Sequence, residues 1–370
     1  MVSARITAME RTLRSGKARA VTSAILHLIV HEARLMIRFV ALLLLLANTR
    51  CFSQTDALLS PLDNADSGYI RKFIRNHDIR LFYGAQGNNV SLGSQHDDQA
   101  ELNGDIYQNT NDYIGAGITY GWLDGDLSLS LPGTTYLKEE RSNLTQFKLA
   151  LGYTRRKIIL RAYYSDSRGV VVSGSANEFE SAPSLQEIQL GMQITYLFNE
   201  SRYSYRAAKY QSECQMKTAG SFLLRCEPFY RSLGTKEGTV VPQDQDLETR
   251  FGPQVGLEFV RAPGLLLLPG YGINIIVRDS RFFISPIVFA GLGIAQNYYE
   301  TKTGRGSFTS LEYAGNFNLN AGYNSSKFYS KLQLGWSAGY TTLDPSYLTN
   351  ANVTCVLMFG VRFGDVMWLN

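Results

Sequence analysis

The chain has 370 residues, 45% of them hydrophobic and only 18% charged, against the ~25% charged of a typical soluble protein. That length fits one large domain or two to three small ones, and the 22 Tyr, 19 Phe and 33 Gly tilt it toward strands, tight turns and aromatic belts. The net charge of +4 does not mark a nucleic-acid binder: residues 1–53 hold eight Lys or Arg against two Asp or Glu, which leaves 28 basic and 30 acidic groups beyond them, a balance of −2.

In chain order, the first element is a signal peptide over residues 36–53. Met36-Ile37-Arg38 gives a basic start through Arg38, residues 39–47 an apolar run, and Ser53 a small residue before the cleavage point at Gln54. Residues 1–35, with Arg5, Arg11, Arg14, Lys17, Arg19 and Arg34, read as sequence upstream of the true start, ahead of the alternative of a genuine extended leader. Cys51 follows Arg50, where a lipoprotein signal needs a small residue. The expected organisation is a leader over 1–53, a periplasmic N-terminal segment over 54–76, and an outer-membrane β-barrel over 77–370 in a Gram-negative-type envelope. No apolar run reaches the ~18 residues of a spanning helix, so insertion must use strands.

Tyr69, Ile70, Phe73 and Ile74 stand among basic residues, as a short amphipathic piece against the rim or an ordered lead-in. Successive strand side chains point to opposite faces. Ile114, Ala116, Ile118, Tyr120 and Trp122 share one face and Gly115, Gly117, Thr119 and Gly121 the other. Asp124-Gly125 then predicts a hairpin turn, after which Leu127, Leu129 and Leu131 resume the apolar face. Phe147, Leu149, Leu151 and Tyr153 continue the pattern, Arg155-Arg156 predicts the turn into 158–164, and Ile188, Leu190, Met192, Ile194 and Tyr196 run to Asn199-Glu200-Ser201. Pro286 predicts a bulge in the strand over 282–294. Leu311, Tyr313, Phe317, Leu319 and Tyr323 oppose Glu312, Asn316, Asn318 and Asn320. Leu332, Leu334, Trp336 and Tyr340 return after Asn324-Ser325-Ser326. Val353, Cys355, Leu357, Phe359, Val361 and Phe363 close the series.

Two details favour a membrane barrel over a secreted antiparallel sandwich. The polar faces carry Lys, Gln, Asn and Glu at mid-strand, which a packed core rejects and a lumen accepts. Turns on one side are short, whereas 85–111, 132–142, 166–186 and 299–310 read as long connections, the arrangement of outer-membrane barrels. The expectation is an all-β, antiparallel transmembrane β-barrel of about 12 strands, or 14 if 219–229 and 251–260 each span alone.

The blocks Tyr203-Ser204-Tyr205-Arg206-Ala207-Ala208 and Lys217-Thr218-Ala219-Gly220-Ser221-Phe222-Leu223-Leu224, with Tyr69-Ile70-Arg71-Lys72-Phe73 before the first strand, carry a resemblance. Over roughly 69–363 the chain resembles an uncharacterised family of outer-membrane barrels from Bacteroidota-type bacteria, known as domain of unknown function 4421. It departs from the pattern at Arg225-Cys226, where glycines are expected, and in an insertion around 262–269. The family has no established activity, so the resemblance implies a fold and a location and transfers no catalytic residue.

Beyond the leader the histidines are His77, beside Asp78, and His96, in Ser94-Gln95-His96-Asp97-Asp98. No nucleophile elbow and no metal-ligand spacing of Cys and His is present, and Gly291-Leu292-Gly293 lacks the helix start that a phosphate loop needs. No cofactor or metal is expected, nor an enzyme. Cys214 and Cys226 either pair or pack apolar. The residues that carry function are expected to line the lumen: Lys148, Arg161, Arg206, Arg225, Glu227, Glu312, Lys331 and Arg362. Such charges either set solute preference or pair with one another and close the barrel. The leading expectation is a pore or transporter for small polar solutes. A non-conducting structural or adhesive barrel follows, then a barrel enzyme acting on lipid or envelope polymer through His96. The expected partners are outer-membrane lipid, the barrel-assembly machinery during insertion and small polar solutes, with no nucleic acid; the sequence does not fix an oligomeric state.

Overall fold

The computed structural model describes residues 59–61, 65–94, 104–134, 145–173, 179–235, 256–277, 281–343 and 346–364. The strands are β1 (Leu59–Pro61), β2 (Ile70–Phe73), β3 (His77–Ser94), β4 (Gly104–Tyr120), β5 (Leu123–Ser130), β6 (Thr145–Arg155), β7 (Ile158–Ser173), β8 (Phe179–Leu197), β9 (Glu213–Gln215), β10 (Ala219–Thr235), β11 (Leu257–Val277), β12 (Phe282–Thr301), β13 (Gly304–Asn324), β14 (Phe328–Leu343) and β15 (Ser346–Phe363). One short helix, α1 (Tyr205–Lys209), lies between β8 and β9. Twelve strands, β3 to β8 and β10 to β15, form a closed antiparallel barrel. β15 pairs with β3 from Phe363 opposite His77 to Ser346 opposite Ser94. Closure leaves no unpaired edge, the condition for a sheet to cross lipid. The remaining three strands make a separate small sheet in the order β1-β2-β9.

The barrel inverts the partition of a soluble protein. Leu81, Phe222, Leu292 and Ile294 are more than half exposed on the outer face, whereas Arg80, Glu312, Lys331 and Arg362 are buried inside. An apolar exterior around a polar interior is stable only in a bilayer, so the chain is a transmembrane β-barrel. Among the described residues no helix is long and apolar enough to cross a membrane.

Four expectations need correction. The turn after β4 falls at Gly121-Trp122, not at Asp124-Gly125: Gly121 has φ +59°, and Asp124 is already in β5, opposite Thr119. The left-handed backbone there suits glycine, and Asp124 is left free to point inward. The presumed long connections over 85–111, 166–186 and 299–310 are largely strand, and β12 passes to β13 through Lys302-Thr303 alone. Ten barrel strands have 16 to 21 residues, about twice the 9–11 that span a bilayer. Above the lipid both faces are polar, so the alternation that marks a strand disappears while the ladder continues. Pro286 makes no bulge: β12 keeps one register with β13 across it, Ser285 opposite Asn320 and Ile287 opposite Asn318. The ladder to β11 simply lapses opposite Ile273 and Asn274 and resumes in step. The 14-strand count fails because Leu257 to Val260 is the start of β11, which continues to Val277 and includes 262–269; residues 251–255 lie outside the described residues.

Candidate functional site

The connection between β8 and β10, residues 198–218, does not skirt the rim. It folds across the mouth of the barrel and plugs it. Ser204 caps α1: its Oγ accepts from the Ala207 N–H at 2.9 Å and donates to Glu213 at 2.6 Å. After α1 the chain turns at Gln211, φ +61°, and pairs as β9 with β2, Arg71 opposite Cys214. The expected amphipathic piece or lead-in is therefore a strand of the plug over Ile70–Phe73, with Ile70 and Phe73 buried.

The plug is held differently on its two sides. Tyr203, Tyr205 and Ala208 pack on Leu223, Leu268 and Phe289 from β10, β11 and β12. Hydrogen bonds hold it around the rest of the wall and also from β11. Arg206 donates to the carbonyls of Thr154 and Gly121, and Arg161 donates to the Tyr210 hydroxyl at 3.1 Å. Asn274 donates to the Ser204 carbonyl at 2.9 Å and Asn324 to the Glu213 carbonyl at 3.1 Å. Lys331 donates to the Lys209 carbonyl, and Arg362 to the Gln211 carbonyl. Eight strands, β6, β7 and β10 to β15, and the β4–β5 turn thus grip one 21-residue segment. Burial pushes the Lys209 ammonium below its ordinary range; the Tyr205 hydroxyl opposes this, and Arg161 and Arg225 add to it.

Above the plug most of the described wall charges are paired. Arg80 meets Asp126 at 2.7 Å and Asp78 at 3.3 Å. Arg161 meets Asp124 and Asp126, each at 2.8 Å. Arg231 meets Glu312 at 3.2 Å. Arg225 lies 4.0 Å from Glu227 and 3.8 Å over the Phe289 ring, and Tyr163 donates to Glu227 at 2.9 Å. Lys148 donates to Gln86.

Of the residues expected in the lumen, Lys148, Arg161, Arg225, Glu227, Glu312, Lys331 and Arg362 sit on barrel strands and turn away from the exposed apolar face. Arg206 is the exception. It belongs to α1, so it is part of the plug and not of the wall, paired with Glu213 at 3.4 Å. Sequence reasoning missed Asp78, Arg80, Asp124 and Asp126, the core of the ion-pair network. Their spacing is the signal: Asp-x-Arg and Asp-x-Asp put each pair on one strand face. His77 is buried, stacked on Tyr120 at 4.1 Å and accepting from the Gly121 N–H at Nδ1. His96 lies outside the described residues. Cys226 is a free thiol on the outer side of β10, so it does not pair with Cys214. Among the described residues no group of His, Cys, Asp and Glu could hold a metal ion.

No curated protein matches the sequence. Among solved structures, the outer membrane protease OmpT from Escherichia coli is similar over 78% of this chain and 96% of its own, at 10% identity and a TM-score of 0.37. The translocator domain of the autotransporter NalP from Neisseria meningitidis matches 77% of this chain and 88% of its own, at 12% identity and a TM-score of 0.33. An outer membrane channel from Pseudomonas putida F1 matches 82% and 99%, at 11% identity and a TM-score of 0.30. The family comparison is decisive: residues 64–363 match the family described as a domain of unknown function, DUF4421, and the chain belongs to it.

Proposed function

We propose that the protein is an outer-membrane β-barrel closed at rest, which passes small polar solutes only when its own β8–β10 connection is displaced. One observation carries the reading: apolar packing joins the plug to β10, β11 and β12, where Asn274 adds hydrogen bonds, whereas Lys331 and Arg362 on the other side hold it through polar groups, with Arg206 bonding the β4–β5 turn. Polar attachments exchange with water far more readily than buried apolar area, so one side of the plug is a hinge and the other a latch. The short turns Gly121-Trp122, Arg156-Lys157 and 325–327 share the plugged end, which supports a periplasmic placement for it. The same reading takes residues 1–53 as a removed leader, 54–76 as a periplasmic segment whose 70–73 stretch joins the plug, and the barrel-assembly machinery and lipid as its partners in insertion.

Single-channel recording in planar bilayers tests it. The folded wild type, identified by a heat-modifiable gel band, is expected to be silent, and the R206Q/R362Q double variant to show discrete steps. Steady conductance of the wild type overturns the closed state. A folded but silent double variant leaves the second reading, a non-conducting structural barrel, which the pairing of Arg80, Arg161, Arg225 and Arg231 with carboxylates favours. The enzyme reading rests on His96 and gains no support from the described residues.

A further inference from the structure

Among the described residues Lys148, Lys209, Lys331 and Arg362 are lumen cations that meet no carboxylate; Lys148 has Gln86, Lys209 has Tyr205 and Arg362 has three oxygen acceptors. Arg80 and Arg161 share Asp78, Asp124 and Asp126; Arg206 has Glu213 and Arg225 has Glu227. Lys331 is 1% exposed, and among the described residues it makes no ion pair. Its ammonium has three donors, of which the Lys209 carbonyl takes one. Arg80, Lys209 and Arg161 lie within its electrostatic reach, with Asp126 as the opposing charge already held by both arginines. A buried ammonium among cations is costly unless an anion joins it.

A second, independent gap lies beside it. Asn320 on β13 is 1% exposed, and neither its Nδ2 nor its Oδ1 has a hydrogen-bond partner. Asn320 faces Gln333 across the β13–β14 ladder, and Lys331 faces Gly322. Lys331 and Asn320 are therefore diagonal neighbours on the lumen face, with Gly322 opposite the lysine and Gln333 opposite the asparagine. A buried amide with both ends unmet is rare and marks a missing partner.

We infer that the lumen binds a small hydroxyl-bearing oxyanion, of which hydrogen phosphate is the simplest, between Lys331 and Asn320. Its charged oxygens accept from the Lys331 ammonium and the Asn320 NH2, and its hydroxyl donates to Asn320 Oδ1. Lys209, Arg80 and Arg161 supply the positive field. The site does not depend on whether the barrel conducts.

Equilibrium dialysis of the folded full chain in detergent, with radiolabelled inorganic phosphate, tests this directly. Wild type is expected to retain about one equivalent. N320L is expected to bind about tenfold more weakly, the effect of losing a buried hydrogen-bonding partner, and K331M to bind none. The heat-modifiable band reports folding, and N320L stands in if K331M does not fold. No retention by folded wild type overturns the inference, as does unchanged binding in folded N320L. Acetate has no hydroxyl, so competition by acetate as effective as unlabelled phosphate overturns the assigned ligand class.

Discussion

The Arg362 guanidinium, on the last barrel strand, lies 3.9 Å over the ring of Phe73 in β2. The same group donates to the carbonyls of Gln211 and Ser325 and to Asn324 Oδ1. One side chain thus joins β2 and the turn before β9 to the end of the wall. Arg362→Ala leaves these acceptors dry, at about 1–3 kcal/mol for each unsatisfied group, and R362K recovers only part because a point-charge ammonium cannot bridge three acceptors in a plane. Urea midpoints of the barrel in lipid vesicles, read by tryptophan fluorescence, are expected to fall in the order wild type, R362K, R362A. Trp122 is a suitable reporter, since Arg206 sits 5.1 Å over its ring at the plugged end.

Arg161 bridges Asp124 and Asp126. Removing one partner from a buried pair costs about 3–5 kcal/mol because the other is left charged and alone. Arg161→Ala is expected to destabilise by that much. R161M/D124N, which removes both charges, is expected to recover a large part of it. A double-mutant cycle on the same unfolding signal reads the coupling; additive losses would show that Asp124 does not need Arg161.

The barrel was legible in the sequence where lipid imposes a period of two: Ile188 to Tyr196 and Val353 to Phe363 alternate cleanly because one face meets hydrocarbon. Where strands rise above the bilayer, as in the upper parts of β3 and β4, no apolar face is demanded and the same ladder reads as loop. Asp124-Gly125 misled because a turn signal is local, while the position of Asp124 is set by Arg161, which arrives from β7. The plug was visible only as a family resemblance at Tyr203-Ser204-Tyr205-Arg206. A five-residue helix is too short for a period, and its energy lies in contacts with distant strands.

Burial holds the Lys209 ammonium below its ordinary range, the Tyr205 hydroxyl opposing and Arg161 and Arg225 assisting. Between that lowered value and the ~10.4 of an unfolded lysine, the folded state binds fewer protons than the unfolded one. Stability from this group is therefore present above the unfolded value and lost as pH falls through the folded one. Lys209→Met removes the titration, so the pH dependence of the unfolding midpoint is expected to be flatter in K209M. An unchanged pH slope would show that Lys209 reaches water.

Gly293 on β12 is a close-approach glycine: a Cβ there would stand 2.0 Å from the Leu265 carbonyl oxygen, a backbone atom that cannot swing aside. At Gly125 the nearest heavy atom would be 3.5 Å away, a Leu151 methyl on the open outer face. Gly293→Ala is expected to abolish the heat-modifiable band or lower its melting midpoint sharply, and Gly125→Ala to leave it near wild type. Equal behaviour of the two would contradict the tight β11–β12 contact.

The lipid belt makes a depth-dependent prediction along β12. Leu292 and Tyr298 both point outward, 56% and 52% exposed, and Leu292 lies near the middle of the strand between Ile284 and Tyr298. Arginine on the lipid face costs about 2–4 kcal/mol at the bilayer midplane and about 0–1 near the interface. Leu292→Arg is therefore expected to cost several times as much as Tyr298→Arg in vesicle unfolding, although both sites are equally open in the isolated barrel. In detergent micelles, which adapt around an inserted charge, the gap should narrow. Equal costs for the two variants in vesicles would mean that Leu292 is not at the hydrocarbon centre, and the height of the barrel in the membrane would have to be redrawn.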